Sequence, residues 1–281
     1  MKRIAAVILW SALALQLAHA QTAGFTPRPD AAQIPSYELV SIHKTPDANS
    51  GMSNNDQPDG LTITGMTLRG LIAEAYGFSL GALNKQQLTG APPWADTQRF
   101  DLHAKVDSDD VPKIKELTKA ETMMVAVRQI VSRTPTYRML MLQRLLEDRF
   151  QLKIHYEQKV MSLYEMTIAK GGVRMKVAHP ADPENGTMSW NPGKLTGQNA
   201  PMPFIPVIFA MVLERPVEDK TDTPGNYDFE MHWTPTEGTQ QTDAGPSIFT
   251  AAEEQLGLKL HPSKGPVWII VVDHAEMPSE N

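Results

Sequence analysis

Three stretches of this chain change hydrophobic period in the same way, and that change limits the folds open to it. They are LIAEAYGFSL from Leu71, LLEDRFQLKI from Leu145 and AAEEQLGLKL from Ala251. Each has apolar residues at its first, second, sixth, eighth and tenth places, and an acid at its fourth: Glu74, Asp148 and Glu254. Spacing of three to four suits a helix and spacing of two suits a strand, so each stretch reads as a helix running into a short strand. Thr67, Thr134 and Ser247 supply side-chain oxygens where N-caps are wanted. Gly77 and Gly257 stand where a left-handed residue ends a helix, with Gln151 at the middle unit's equivalent place.

After each short strand the pattern predicts a turn and then a longer strand, at Phe100 to Val106, Leu163 to Ala169 and Val267 to Asp273. In the first of these Phe100, Leu102, Ala104 and Val106 alternate with polar residues, which describes a sheet with one wet face. Val267 to Val272 is apolar throughout and reads as a central strand covered on both faces. Further elements are a first strand at Tyr37 to Ile42, a helix at Pro135 to Asp148, a helix around Phe204 to Leu213 and a strand at Tyr227 to Trp233. The fold class expected is α+β, with repeated helix-strand-turn-strand units forming mixed or antiparallel sheets in two lobes.

The organisation expected is a signal peptide over residues 1–20, an extended lead-in outside any core over 21–35, and a first lobe over 36–177. A Pro-, Gly- and Asn-rich loop or flap follows over 178–203, then a second lobe over 204–281. Lys2 and Arg3 before the apolar run Ile4 to Leu17, with Ala18-His19-Ala20 behind it, form a secretory signal with cleavage after Ala20. The protein is therefore expected to be periplasmic or secreted. What remains is long enough for one large domain or two small ones. Its most apolar segment, from Phe204 to Leu213, is too short for a membrane span and is interrupted by Pro206, so no stable membrane anchor is expected after cleavage.

The chain has no cysteine. That removes disulfides, acylated-cysteine anchors, thiol catalysis, iron-sulfur clusters and cysteine-bound zinc. The formal charge of -6, made more acidic by loss of Lys2 and Arg3, opposes attraction to nucleic acid. There is no Gly-Xaa-Ser-Xaa-Gly elbow, no phosphate-binding glycine loop and no His-Glu-Xaa-Xaa-His, and no cofactor is implied.

The histidines at 43, 103, 155, 179, 232, 261 and 274 are dispersed. An imidazole cluster would require the strands carrying His103, His155 and His232 to be neighbours. Met123, Met124, Met139, Met141 and Met166 fall in apolar segments, where filling gaps in a core is favoured over binding copper. Asp273-His274 is weak as an acid-base pair, because adjacent strand residues point to opposite faces.

Five residues stand out as candidate ligand contacts. Asp219, Lys220, Tyr227 and Asp228 flank one turn and would orient a polar ligand; a turn held by an Asp-Lys pair and an Asp capping its own backbone accounts for the same residues and is the favoured reading. Trp94, in Pro92-Pro93-Trp94, is either an aromatic platform for a carbohydrate or peptide or a lid over the core.

Together, LIAEAYG from Leu71, Gly90-Ala91-Pro92-Pro93-Trp94, Arg99-Phe100-Asp101, Leu145 to Phe150, Arg215-Pro216-Val217, Tyr227-Asp228-Phe229 and Glu254 to Leu258 resemble an exported, uncharacterised protein family typical of soil Acidobacteria. A related domain of that family is fused to membrane sensor metallopeptidases, so the resemblance implies sensing or binding more than catalysis. The family's Asp-Lys-Thr-Gly-Leu-Thr-Gly-Xaa-Tyr-Asp segment stands here at Asp219 to Asp228, with Asp222, Thr223 and Pro224 replacing the central Gly-Leu-Thr. The repeat also resembles, loosely, the helix-and-sheet modules of secretins and outer-membrane receptors, which bind partners through strand edges.

Two functions follow as expectations. The favoured one is an exported binding or sensing module for a small ligand, peptide or envelope protein, recruited at an uncovered strand edge or in a dry apolar groove. The alternative is a cell-envelope or extracellular hydrolase whose active site carries no local motif.

Overall fold

The computed structural model of the chain describes residues 34–46, 51–77, 86–119, 121, 134–179, 186–235 and 245–279. Its architecture is α+β, with five α-helices and three open sheets among the described residues. The predicted signal peptide and most of the lead-in lie outside them.

The first sheet has the order β1-β5-β3-β2, from β1 (Leu39–Lys44), β2 (Ser53–Gln57), β3 (Gly60–Thr67) and β5 (Arg99–Lys105), all antiparallel. Its alternating apolar residues, including Ile42, Ile63, Phe100 and Leu102, meet helices α1 (Leu68–Ala75) and α3 (Tyr137–Arg149) in one core. Phe100 stands edge-on to Phe150 with ring centroids 5.3 Å apart, a favoured aromatic geometry. A smaller cluster joins α2 (Val111–Thr118) to α3 and includes Ile34, whose carbonyl accepts from Arg144. The lead-in thus ends inside a core, contrary to expectation, because a lone apolar residue needs no periodicity to dock.

The second sheet, β10-β6-β12-β4, is built on two long strands, β6 (Lys153–Ile168) and β12 (Leu258–His274). They pair antiparallel from Leu258 opposite Ile168 to Val272 opposite Ile154, with a shift only beyond Val272. Short parallel strands flank them: β10 (Val217–Asp219) beside β6, and β4 (Leu88–Thr89) beside β12. The helix-strand-turn-strand units are therefore corrected. In the second and third units no turn interrupts the strand, and the predicted short and long strands are one. The first unit's short strand falls on residues outside those described.

The misreading has a physical origin in the faces of this ribbon. At one end Ile154, Tyr156, Ile270 and Val272 pack into the first core; at the other Met166, Ile168, Leu258 and Leu260 pack into a second. These even-numbered residues share one face. Between them Gln158, Val160 and Ser162 are exposed, while Met161, Leu163 and Ile269 on the opposite face are buried. The buried face changes along the strand, which breaks the simple alternation that marks a strand in sequence. Ile269 and Ile270 are both buried, so the expected two-sided covering holds there.

The third sheet, β7-β11-β9-β8, is antiparallel and comprises β7 (Lys176–Val177), β8 (Thr187–Asn191), β9 (Lys194–Pro201) and β11 (Asn226–His232). It covers the second core with α4 (Phe204–Val212), α5 (Ile248–Ala251) and a π-turn at Ala252–Leu256. The predicted loop over 178–203 is thus corrected: it holds β8 and β9, joined at Pro192-Gly193, where Gly193 has φ 85°. Proline then glycine with positive φ is the signature of a tight turn, and the polar residues around it face outward from the sheet.

Thr67 and Ser247 cap α1 and α5, accepting from the amides of Gly70 and Thr250. In the middle unit the cap is Thr136 in place of Thr134; its hydroxyl accepts from Met139 N at 3.1 Å. All three units end left-handed, with φ 78° at Gly77, 48° at Gln151 and 72° at Gly257. The middle unit keeps the conformation without the glycine.

Two substitutions test this. A non-glycine residue in the left-handed region costs roughly 1–2 kcal/mol, so Gln151→Gly is expected to stabilise the protein by up to about 1 kcal/mol, net of backbone entropy and a lost bond to Asp148. A Cβ on Gly257 would lie 2.1 Å from the Gly172 carbonyl oxygen, so Gly257→Ala is expected to cost more than about 2 kcal/mol. Urea unfolding measures both.

Candidate functional site

The ribbon's two outer edges are treated differently. Tyr164 N donates to Pro216 O and Lys220 N to Met166 O, so even-numbered residues of β6 direct their backbone groups outward, towards β10. Ile270 N donates to Gln87 O, so even-numbered residues of β12 face the other edge. Pro262 and Pro266 are both even. Each sits at an outward place on β12, where a missing N–H costs no bond to β6 and leaves nothing for a further strand to pair with. Proline at such places blocks edge-to-edge association.

The edge of β6 has no such block. β10 covers only Tyr164 to Met166, and among the described residues no strand lies beside Gln158, Val160 and Ser162. All three are exposed, and Val160 is 71% exposed. On the other face Glu157 and Lys159 are exposed as well, while Met161 is buried.

A second surface lies on the outer side of the third sheet, where a cavity measures 560 Å³, within the range of about 300–1,000 Å³ typical of small-molecule sites. It is lined by Thr187, Ser189, Thr196, Gln198, Asp228 and Glu230, with Lys176 at one end. A bulge shapes it. The β9–β11 register shifts between Tyr227 and Phe229, placing Gln198 and Asn199 against Asp228 alone. Asn199 takes φ 51° and donates its amide to Asp228 Oδ1 at 2.8 Å, while Asn226 Nδ2 donates to Asn199 Oδ1. Gly197 admits the Phe229 ring on the inner side: a Cβ there would lie 2.5 Å from a ring carbon.

The five predicted contacts do not form one site. Trp94 is half-buried, edge-on to Phe100, and packs on the first core as a lid. Asp219 Oδ1 accepts from the amide and hydroxyl of Thr221, holding its own turn, and Lys220 pairs with Glu218 at 2.6 Å. Those two belong to the second sheet's edge. Tyr227 is buried in the second core with its hydroxyl donating to Pro224 O, and Asp228 pins the bulge of the third sheet. Of the five, Asp228 alone lines the larger cavity.

His103, His155 and His232 lie in three different sheets, so the imidazole cluster does not assemble. His155 pairs instead with Asp273 at 2.9 Å, and His274 with Glu276 at 2.8 Å. Among the described residues no group of histidines and carboxylates is placed to hold a metal, and no helix is long and apolar enough to cross a membrane.

Asp228 and Glu230 face one cavity from the same side of β11, an arrangement that invites comparison with a glycosidase pair. Their chemistry runs the other way. Lys194 and His232 hydrogen-bond to Glu230 and hold its carboxyl below the usual range, whereas a general acid needs a raised one. Asp228 is committed to the bulge. A smaller cavity at Tyr76, Glu147 and Lys153 does contain a carboxyl raised by burial, that of Glu147, with no second carboxylate lining it.

The ribbon and the polar outer surface belong to an α+β protein whose accessible features, among the described residues, include a strand edge and a trough. The chain matches the family model described as "Protein of unknown function (DUF3738)" over residues 69–275, more than half its length, and belongs to that family. The match begins in α1 and closes just beyond β12, so it contains the whole ribbon. No curated protein and no solved structure matches the chain.

The edge and the trough were both missed in sequence. Pro262 and Pro266 are four apart, which places them on one edge of a strand, yet they read as a turn. Thr187 and Ser189, then Thr196 and Gln198, alternate with Met188 and Gly197, a period-two signal obscured by the prolines and glycines nearby.

Removing the Asp228 carboxylate leaves the buried Asn199 amide without its acceptor, which costs about 1–3 kcal/mol. Asp228→Ala is expected to lower unfolding free energy by that amount, with most of it retained in Asp228→Asn, as measured by chemical denaturation.

Proposed function

We propose that this protein is an exported binding module that captures an extended segment of a peptide or envelope protein along the β6 edge. The carrying observation is the asymmetry of the ribbon: one edge interrupted twice by proline, the other presenting Gln158, Val160 and Ser162 with no strand beside them among the described residues. Free backbone donors and acceptors in a strand edge invite pairing with another chain, and native proteins ordinarily blunt such edges. An added strand would gain main-chain hydrogen bonds from β6 and cover the exposed Val160 side chain.

The amino-terminal signal supports export, and the resemblance to acidobacterial domains fused to sensor metallopeptidases supports a role in sensing. The low carboxyl of Glu230 and the structural engagement of Asp228 weigh against the hydrolase.

Val160→Pro removes one outward N–H, as Pro262 and Pro266 do on β12, so the variant is expected to fold. Linear peptides selected from a displayed random library against the protein are expected to lose at least tenfold in affinity for Val160→Pro and to slow exchange of the Val160 amide. Peptides that bind the proline variant equally well would place recognition elsewhere.

A further inference from the structure

The geometry points to a second, separate site: the trough across the outer face of the third sheet binds a short neutral oligosaccharide. This rests on different residues from the β6 edge and stands or falls independently of it.

The trough follows from the pleat. Met188, Gly197 and Phe229 are cross-strand partners in one row whose Cβ positions point towards the second core. Their backbones form a floor on the outer side. Ser189, Thr196 and Glu230 are partners in the next row and make one wall; Thr187 and Gln198, with Asp228 at the bulge, make the other. Residues two apart on a strand are separated by about 7 Å and neighbouring strands by about 5 Å, so the channel is roughly one sugar ring wide and crosses three strands. The bulge widens it on the side of Gln198.

The wall chemistry selects the ligand class. Thr187, Ser189 and Thr196 offer hydroxyls and Gln198 an amide, groups that both donate and accept, as a ligand bearing many hydroxyls requires. Both carboxylates are already compensated: Glu230 by Lys194 at 2.9 Å and His232 at 2.6 Å, and Asp228 by the Asn199 amide, with Lys176 3.8 Å away. The channel thus presents little uncompensated charge, which disfavours a phosphorylated or polycationic ligand and leaves carboxylate oxygens to accept from paired hydroxyls.

The test is binding of the intact protein to an array of neutral linear glycans of two to four sugars, with oligogalacturonate and chitosan oligomers as charged probes, followed by titration calorimetry. At least one neutral glycan is expected to bind, more tightly than either charged probe. Ser189→Tyr, which fills the trough from an exposed place, is expected to weaken that glycan by more than tenfold, and Thr196→Val, which removes one hydroxyl, by about threefold or more. Val160→Pro is expected to leave it unchanged. No neutral binder on the array, tighter binding of a charged probe, or a binder indifferent to Ser189→Tyr would each overturn the assignment.

Discussion

The antiparallel ladder between β6 and β12 is the interaction on which the rest of the structure depends. One end of this ribbon supplies Ile270 and Val272 to the first core, and the other supplies Leu258 and Leu260 to the second. Neither core is complete without a strand that also enters the other. Segments remote in sequence are thereby joined: Met166 and Met175 pack in the same core as Trp233 and Leu258, although β8, β9, α4, β10 and β11 intervene. A ladder of this length makes the two cores mechanically continuous and leaves a stretch of strand between them that neither core covers.

That intervening stretch gives the ribbon its potential for recognition. Both ends of the ribbon bury the even-numbered face while its middle buries the odd-numbered one, and in that middle stretch the β6 edge meets solvent among the described residues. The chain resolves the hazard on β12 with Pro262 and Pro266, at places where proline costs the ladder nothing. The same constraint explains why the residues around Gly265 resemble a turn while lying in a continuous strand.

Much of the local structure was legible in the sequence and much of the assembly was not. The period changes at Leu71, Leu145 and Ala251 locate the three helix ends, and even Gln151 adopts the left-handed conformation that Gly77 and Gly257 imply. Helix α4 and strand β11 stand close to their predicted places, because their apolar spacing is strong and local. Strand partnership is a long-range property with no local signal: nothing near Asp219 indicates that it edges one sheet while Asp228, a few residues later, pins a bulge in another. Asp219, Lys220, Tyr227 and Asp228, which flank one turn in sequence, are therefore divided by the fold between two sheets.

Residue-resolved amide exchange along β6 tests the account most directly. Odd-numbered residues from Glu157 to Leu163 donate into the ladder, so their amides are expected to exchange as slowly as the buried amides of both cores, through one shared opening. The amides of Gln158, Val160 and Ser162 point outward and are expected to exchange fast, close to the rate of an unstructured chain. Equal protection of odd and even residues would mean that the edge is covered, and separate opening of the two cores would mean that the ribbon does not join them.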